Sequence, residues 1–179
     1  FNTVVRAQSF SFAFFALFFY LLERARNGST RLLLLTIPVT ALWANLHGGF
    51  VTGVMLIFGY AVGRLLLGEA KGAARLAGLG TGCFAASILN PYGVAYWRYL
   101  ADALFMPRPE IIEWRHAELS IMGDIHVLIA LLFVLFVWVT GKKIRPDSDL
   151  LVLGAAVAAT LHIRFTPFFG LTIAVLLSS

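Results

Sequence analysis

Seven blocks of apolar residues divide the chain, and none shows the alternation of apolar and polar positions that a half-buried strand has. Helices that are apolar around their whole circumference are typical of membrane spans. The pattern therefore predicts an all-α protein, a polytopic transmembrane helical bundle of about seven membrane segments. The blocks cover residues 8–22, 32–46, 50–67, 76–89, 126–140, 150–161 and 167–177.

The lengths of the blocks refine this prediction. Several are shorter than the ~20 residues that an upright span needs, so their polar ends would lie in water or against protein. As one helix, the stretch 32–67 would be about 54 Å long, which is too long for a single crossing. A histidine and two glycines interrupt it at 47–49, and we expect a helical hairpin with its apex there.

Composition supports a membrane protein. Hydrophobic residues make up 60% of the chain, charged residues make up 13%, and mean hydropathy is +0.86. Soluble domains have about 45–50% apolar and ~25% charged residues. The net charge of +5 would suggest nucleic acid in a soluble protein, but loops on the cytoplasmic side explain it here. Membrane lipids are therefore expected partners, and nucleic acid is not.

Lysine and arginine predict the orientation in a bacterial inner (cytoplasmic) membrane. Alternate junctions between the blocks carry nine of the 14 basic residues against four acidic ones, whereas the other junctions carry five of each. The basic side of a membrane protein faces the cytoplasm, so the neutral side faces the periplasm. The polar motifs at the block ends then gather at this outer face, where we expect a site.

The longest junction, 90–125, is predicted to be an outer loop. Three prolines interrupt it, and an apolar stripe within 93–105 predicts a short amphipathic helix on the membrane surface. The chain starts without methionine and ends within an apolar run. We therefore expect a single transmembrane helical domain over 1–179 that belongs to a longer protein, with N-terminal and C-terminal parts missing.

The strongest local motif combines Trp43, Asn45 and His47 with the two glycines that follow. On a helix, Trp43 and His47 share a face at i, i+4, and the glycines allow a sharp turn. A histidine in this place could bind phosphate, ligate a metal or relay a proton. The alternative is structural, with Trp43 as an interface anchor and His47 bonded to a carbonyl at the helix end.

Four further residues are candidates. Asn90 precedes a proline, as at a helix N-terminus that attracts anions, although a structural turn explains most of this motif. Glu113 lies between isoleucines and a tryptophan, an apolar setting that favours a general base or metal ligand. Arg164 lies in an apolar hairpin and needs a partner, either Glu113 or a lipid phosphate. Arg6 is predicted to lie in the same layer.

Five short motifs follow one another in a fairly specific order: Arg6-x-Gln8, residues 43–48, residues 89–93, residues 112–114, and Arg164-Phe165. In this order they resemble bacterial multispanning proteins related to GT-C-type glycosyltransferases, over nearly the whole chain. The resemblance implies a periplasmic site and a sugar donor carried on polyprenyl phosphate. It implies Glu113 and His47 as catalytic candidates, and as contacts to the donor or its lipid phosphate Arg6, Trp43, Asn45, Asn90 and Arg164.

The expected function is therefore part of a membrane-embedded GT-C-like glycosyltransferase that acts at the periplasmic face. Such enzymes usually carry a catalytic acid in their first outer loop, and no such loop precedes the first block here. The sequence leaves the cofactor open, with a divalent metal as one option. Two alternatives remain: a transporter or flippase of an anionic lipid or glycolipid, and a non-catalytic integral membrane scaffold.

Overall fold

A computed structural model describes residues 7–26, 30–106, 110, 114, 116–118, 124–139 and 146–176. Across these residues all regular structure is helical, which confirms the all-α expectation. Two 3₁₀ turns, Thr30–Leu35 and Ile163–Phe165, precede α2 and α8. The α-helices are α1 Gln8–Arg26, α2 Thr36–Leu46, α3 Phe50–Leu66, α4 Ala70–Ala86, α5 Ala95–Phe105, α6 Ile125–Val139, α7 Pro146–Leu161 and α8 Thr166–Leu176.

The expectation of a polytopic transmembrane bundle with about seven membrane segments is wrong. No helix within the described ranges is both long enough and apolar enough to cross a membrane. The longest, α1, has 19 residues, and its last turn contains Arg24 and Arg26. Helices α3 and α4 have 17 residues each, against the ~20 apolar residues that a span requires. The apolar blocks do form helices, but these helices are short or carry charges.

The chain divides into two compact units, Phe1–Met106 and Pro107–Ser179. The first contains α1 to α5, and the second contains α6 to α8. The boundary lies within the stretch 90–125 that was predicted to be an outer loop. We describe each unit by itself.

Aromatic side chains form the core of the first unit. Phe18, Trp43 and Phe50 are fully buried, and Phe18 meets the Trp43 ring edge-on at a centroid distance of 5.6 Å. Gly53 in α3 lets these rings approach the helix, because a Cβ there would lie 2.6 Å from Cζ3 of Trp43. Burial of large aromatic rings of this kind contributes about 1.5–3 kcal/mol for each side chain.

The expected break between α2 and α3 is present. Helix α2 ends at Leu46, and the backbone of His47 is extended, with φ −163° and ψ 142°. Helix α3 begins at Phe50. The predicted helix at 93–105 is also present but begins at Ala95, because Gly93 adopts the left-handed conformation with φ +54°.

The second unit is built around the pair α7 and α8, which the 3₁₀ turn Ile163–Phe165 connects. Val127 of α6, Val152 of α7 and Phe169 of α8 are fully buried. His162 ends α7, since its backbone N–H bonds to the carbonyl of Ala158 at 3.0 Å and its own backbone is extended. The turn therefore presents residues 162–165 at one end of this helix pair.

Candidate functional site

In the first unit, a hydrogen-bonded network surrounds the imidazole of His47. Nδ1 of His47 accepts the backbone N–H of Gly49 at 3.0 Å and lies 2.7 Å from the hydroxyl of Ser11. The same hydroxyl accepts the indole N–H of Trp43 at 2.9 Å. Ser11 and Trp43 are both fully buried. The network therefore joins α1, α2 and the turn 47–49 at one point.

These partners determine the tautomer of His47. Because Nδ1 accepts a backbone N–H, it carries the lone pair, and the neutral ring holds its proton on Nε2. The Ser11 hydroxyl then donates to Nδ1 while it accepts from Trp43. The network fixes the plane of the imidazole and makes Nε2–H a hydrogen-bond donor, which suits contact with an anion or a carbonyl better than removal of a proton.

The structure gives Trp43, Asn45 and Asn90 packing and turn contacts. The Trp43 ring packs between α1 phenylalanines. The amide of Asn45 donates to the carbonyls of Ala41 and Leu89, both at 2.8 Å, so it ties α2 to the end of the α4 region. The side-chain oxygen of Asn90 accepts the N–H of Tyr92 at 2.8 Å, which closes a turn ahead of α5. These contacts explain the three residues without a ligand.

Three tyrosines form a surface ridge next to the turn 47–49. We call Tyr92, Tyr96 and Tyr99 the tyrosine ridge. Tyr92 and Tyr99 are 71% and 62% exposed. The ring of Tyr96 lies between them, with centroids 6.0 Å from Tyr92 and 6.2 Å from Tyr99. A Cβ on Gly48 would lie 3.4 Å from the Tyr96 hydroxyl, so the ridge reaches the turn.

Burial raises the pKa of the Tyr96 phenol, and the neighbouring Tyr99 and Tyr92 raise it further. The hydroxyl therefore keeps its proton at neutral pH and can act both as donor and as acceptor. Exposed tyrosine rings offer an apolar face together with a polar edge. Such a surface suits a ligand that has both apolar C–H groups and hydroxyls.

In the second unit, Arg164 lies over an aromatic ring. Its guanidinium carbon is 5.1 Å from the centroid of the Trp114 ring. His162 contacts the same tryptophan, since its ring is 5.3 Å from the indole and its Nδ1 is 2.7 Å from the backbone oxygen of Trp114. The ring of His116 stacks on that of His162 at 5.9 Å. We call these four residues the Trp114–Arg164 cluster.

The hydrogen bond of His162 gives this ring the opposite tautomer to that of His47. A backbone carbonyl only accepts, so Nδ1 of His162 must donate and therefore carries the proton of the neutral ring. The lone pair then lies on Nε2. A histidine whose Nδ1–H is oriented by a carbonyl and whose Nε2 carries the lone pair has the arrangement of a general base.

The candidate residues from the sequence fall into three groups. The first group lies in the first unit. In it, Trp43 and His47 both bond to Ser11, whereas Asn45 and Asn90 lie where α2 meets the turn between α4 and α5. Arg164 lies in the second unit. Arg6 and Glu113 lie outside the described residues. No group of His, Cys, Asp or Glu in the described part of the chain could hold a metal ion.

Sequence reasoning missed Ser11, the tyrosine ridge and the role of His162. Ser11 is a small polar residue inside the apolar block 8–22. Because buried polar groups are usually hydrogen-bonded, its place there indicates a buried partner. The tyrosines recur at positions 92, 96 and 99, the i, i+4, i+7 spacing of one helix face. His162 lies two residues before Arg164, but its tautomer depends on a contact that no sequence pattern indicates.

Comparison of the chain with known protein families, with curated proteins and with solved structures finds no match. The similarity to GT-C-type glycosyltransferases therefore rests on the five short motifs alone.

Proposed function

We propose that the chain is part of a GT-C-like glycosyltransferase that transfers a sugar from polyprenyl phosphate to an acceptor of the cell envelope, at the periplasmic face of the bacterial inner membrane. The observation that carries this proposal is the Trp114–Arg164 cluster. It combines a cation suited to phosphate with a histidine whose tautomer suits a base. Transfer of a sugar from a lipid phosphate can use both groups, the base to activate the acceptor and the cation to stabilise the leaving phosphate.

Arg164 would hold the phosphate of the donor. A guanidinium offers parallel N–H donors that match two phosphate oxygens, and it keeps its charge at all physiological pH values. Stacking on Trp114 engages the face of the guanidinium, whereas its N–H donors point outward in its plane. The stacking therefore orients the guanidinium.

His162 would act as the base. Its Nε2 would take the proton of the acceptor hydroxyl as the oxygen attacks the anomeric carbon of the sugar. The bond from this carbon to the phosphate oxygen breaks, and polyprenyl phosphate leaves with the electron pair. The positive charge of Arg164 stabilises the negative charge that develops on the leaving phosphate.

The tyrosine ridge of the first unit supports the same function independently. The C–H face of a sugar ring packs on exposed aromatic rings, while its hydroxyls bond to polar edges such as the Tyr96 phenol. The ridge reaches the turn that contains His47, whose ring is held by Ser11 and the Gly49 N–H. The ridge would therefore bind saccharide.

The test measures both donor binding and donor consumption by the full-length protein in lipid vesicles. The probes are a polyprenyl-phosphate hexose and a polyprenyl-phosphate pentose, a bacterial cell-envelope fraction supplies the acceptor hydroxyls, and release of polyprenyl phosphate is followed by mass spectrometry. His162→Gln should lower the rate by about 10²-fold or more with little change in donor binding, as expected for loss of a base. Arg164→Lys should weaken donor binding by about tenfold, because an ammonium cannot make the forked contact.

Arg98→Lys is the matched control, since Arg98 is exposed on α5 outside the cluster. It should leave both binding and rate unchanged. If Arg164→Lys binds and consumes the donor as the wild type does, the proposed phosphate contact is refuted. If the wild-type protein binds the donors but releases no polyprenyl phosphate, transfer is refuted and a carrier of anionic lipids is favoured.

A further inference from the structure

A cavity of about 520 Å³ lies within the first unit, at the opposite end of α1 and α3 from the turn 47–49. The last turn of α1, the 3₁₀ turn Thr30–Leu35, the end of α3 and the start of α4 form its walls. Its volume falls in the range of about 300–1,000 Å³ that small-molecule sites occupy. The Trp114–Arg164 cluster belongs to the other unit, so this cavity is a separate feature.

Positive charge dominates the lining of the cavity. Among the described residues that line it, four are basic and one, Glu69, is acidic, and Glu69 pairs with Arg64. A cavity wall with several guanidinium groups attracts anions, and phosphate oxygens match the guanidinium fork. The basic lining residues are Arg26, Arg31, Arg64 and Arg75.

Arg26 shows that this end of the unit is organised rather than a loose cationic surface. Its side chain is 5% exposed, and its guanidinium lies 4.9 Å from the centroid of the Tyr60 ring. Nε of Arg26 is 3.3 Å from a carboxylate oxygen of Glu23, which also accepts the hydroxyl of Tyr60. These contacts position the arginine at the cavity wall before any ligand arrives.

Most of the remaining lining is apolar, with five leucines around the arginines: Leu22, Leu33, Leu34, Leu76 and Leu79. An inorganic anion would leave this surface in contact with water. A ligand with a phosphate at one end and a hydrocarbon group at the other would satisfy both parts of the lining. We infer that the cavity binds a phosphate ester with an apolar substituent, held by the arginines at its phosphate. This inference does not depend on the transfer reaction.

Calorimetric titration of the full-length protein tests the inference with three probes. Hexyl phosphate carries both features, inorganic phosphate lacks the chain, and hexyltrimethylammonium carries the chain with the opposite charge. Hexyl phosphate should bind saturably. Inorganic phosphate should have a dissociation constant at least about tenfold higher than that of hexyl phosphate, and the ammonium should not bind.

The double variant Arg31→Gln/Arg75→Gln should weaken hexyl phosphate binding by about tenfold or more, since two charge-assisted contacts are lost. Both side chains are exposed, so the fold should survive, which circular dichroism checks. The control Lys71→Gln/Arg98→Gln has the same net charge and removes exposed cations outside the cavity lining. It should bind within about twofold of the wild type.

Four results would overturn the inference. The first is no saturable binding of hexyl phosphate to the wild-type protein, and the second is equal weakening in the two double variants. The third is equal binding of hexyltrimethylammonium, which would remove the arginines from the explanation. Inorganic phosphate that binds as tightly as hexyl phosphate would refute the apolar half of the proposed ligand.

Discussion

Gly49→Ala tests the network around His47 most directly. The added Cβ would lie 2.3 Å from the hydroxyl oxygen and 2.8 Å from Cβ of Ser11, and 2.9 Å from Nδ1 of His47. Ser11 is fully buried and cannot move into solvent. Overpacking costs about 1–3 kcal/mol, and a buried donor such as the Trp43 N–H that loses its acceptor costs a similar amount. The free energy of unfolding should therefore fall by about 2–5 kcal/mol.

Gly78→Ala is the matched control, because Gly78 lies inside α4 and a Cβ there meets nothing within 4 Å. The same change should stabilise the protein by about 0.5–1 kcal/mol there. Denaturant titration followed by circular dichroism measures both variants. Ser11→Gly in the Gly49→Ala background removes the two clashing atoms of Ser11, so the double variant should lose less than the sum of the single losses. The steric argument fails if Gly49→Ala is as stable as Gly78→Ala.

Substitutions at two other positions test single features of the first unit. The raised pKa of Tyr96 means that its stabilising effect is complete below the ordinary value of 10.0 and is lost as pH rises through the raised value. Tyr96→Phe should therefore lose less stability than the wild type in alkaline solution, and equal slopes of stability against pH would contradict this. Gly68 has φ +76° in the turn between α3 and α4, so Gly68→Ala should cost about 1–2 kcal/mol in the free energy of unfolding. Gly68→Asn should cost less, because asparagine tolerates this conformation, and identical losses would refute the backbone explanation.

The sequence predicted the helices well where turn chemistry interrupts an apolar run. The break at 47–49 follows from two glycines after a histidine, and the structure ends α2 at Leu46 and starts α3 at Phe50. The start of α4 was predicted at residue 76 but lies at Ala70. The helix continues through Lys71 and Arg75 because both are good helix formers at an exposed face, and apolar periodicity does not detect such a turn.

The prediction of about seven membrane-spanning helices failed because a run of apolar residues in the sequence need not form one continuous apolar helix. The block 32–46 divides into the 3₁₀ turn Thr30–Leu35 and an α2 of 11 residues. Helix α1 runs past its block through Arg24 to Arg26. Hydropathy counts residues along the chain, whereas a span requires the same residues in one uninterrupted helix of sufficient length. Phe18 and Phe19 of the block 8–22 are fully buried in the first unit, where they pack against protein.

The sequence indicated where the polar residues lie along the chain, but not which groups they contact in the fold. The motifs at the ends of α2 and α7 do contain the histidines that the structure surrounds with polar partners. The partners themselves, Ser11 and the backbone oxygen of Trp114, are 36 and 48 residues away along the chain. No sequence pattern identifies a backbone oxygen as a hydrogen-bond acceptor, and one serine among phenylalanines is only a weak indication of a buried partner. Long-range polar pairing of this kind is therefore visible only in the folded chain.

The two histidines show that their long-range hydrogen bonds determine the tautomer of each ring. His47 and His162 have the same local setting, since each follows the last residue of a helix, has an extended backbone and bonds its N–H to the carbonyl four residues earlier. After His47, two glycines let the chain turn so that the Gly49 N–H points at Nδ1. After His162 a 3₁₀ turn follows, and Nδ1 instead meets the carbonyl of Trp114. In the neutral rings, Nε2 of His47 therefore carries a proton and Nε2 of His162 carries a lone pair, so the same residue type offers a donor in one place and an acceptor in the other.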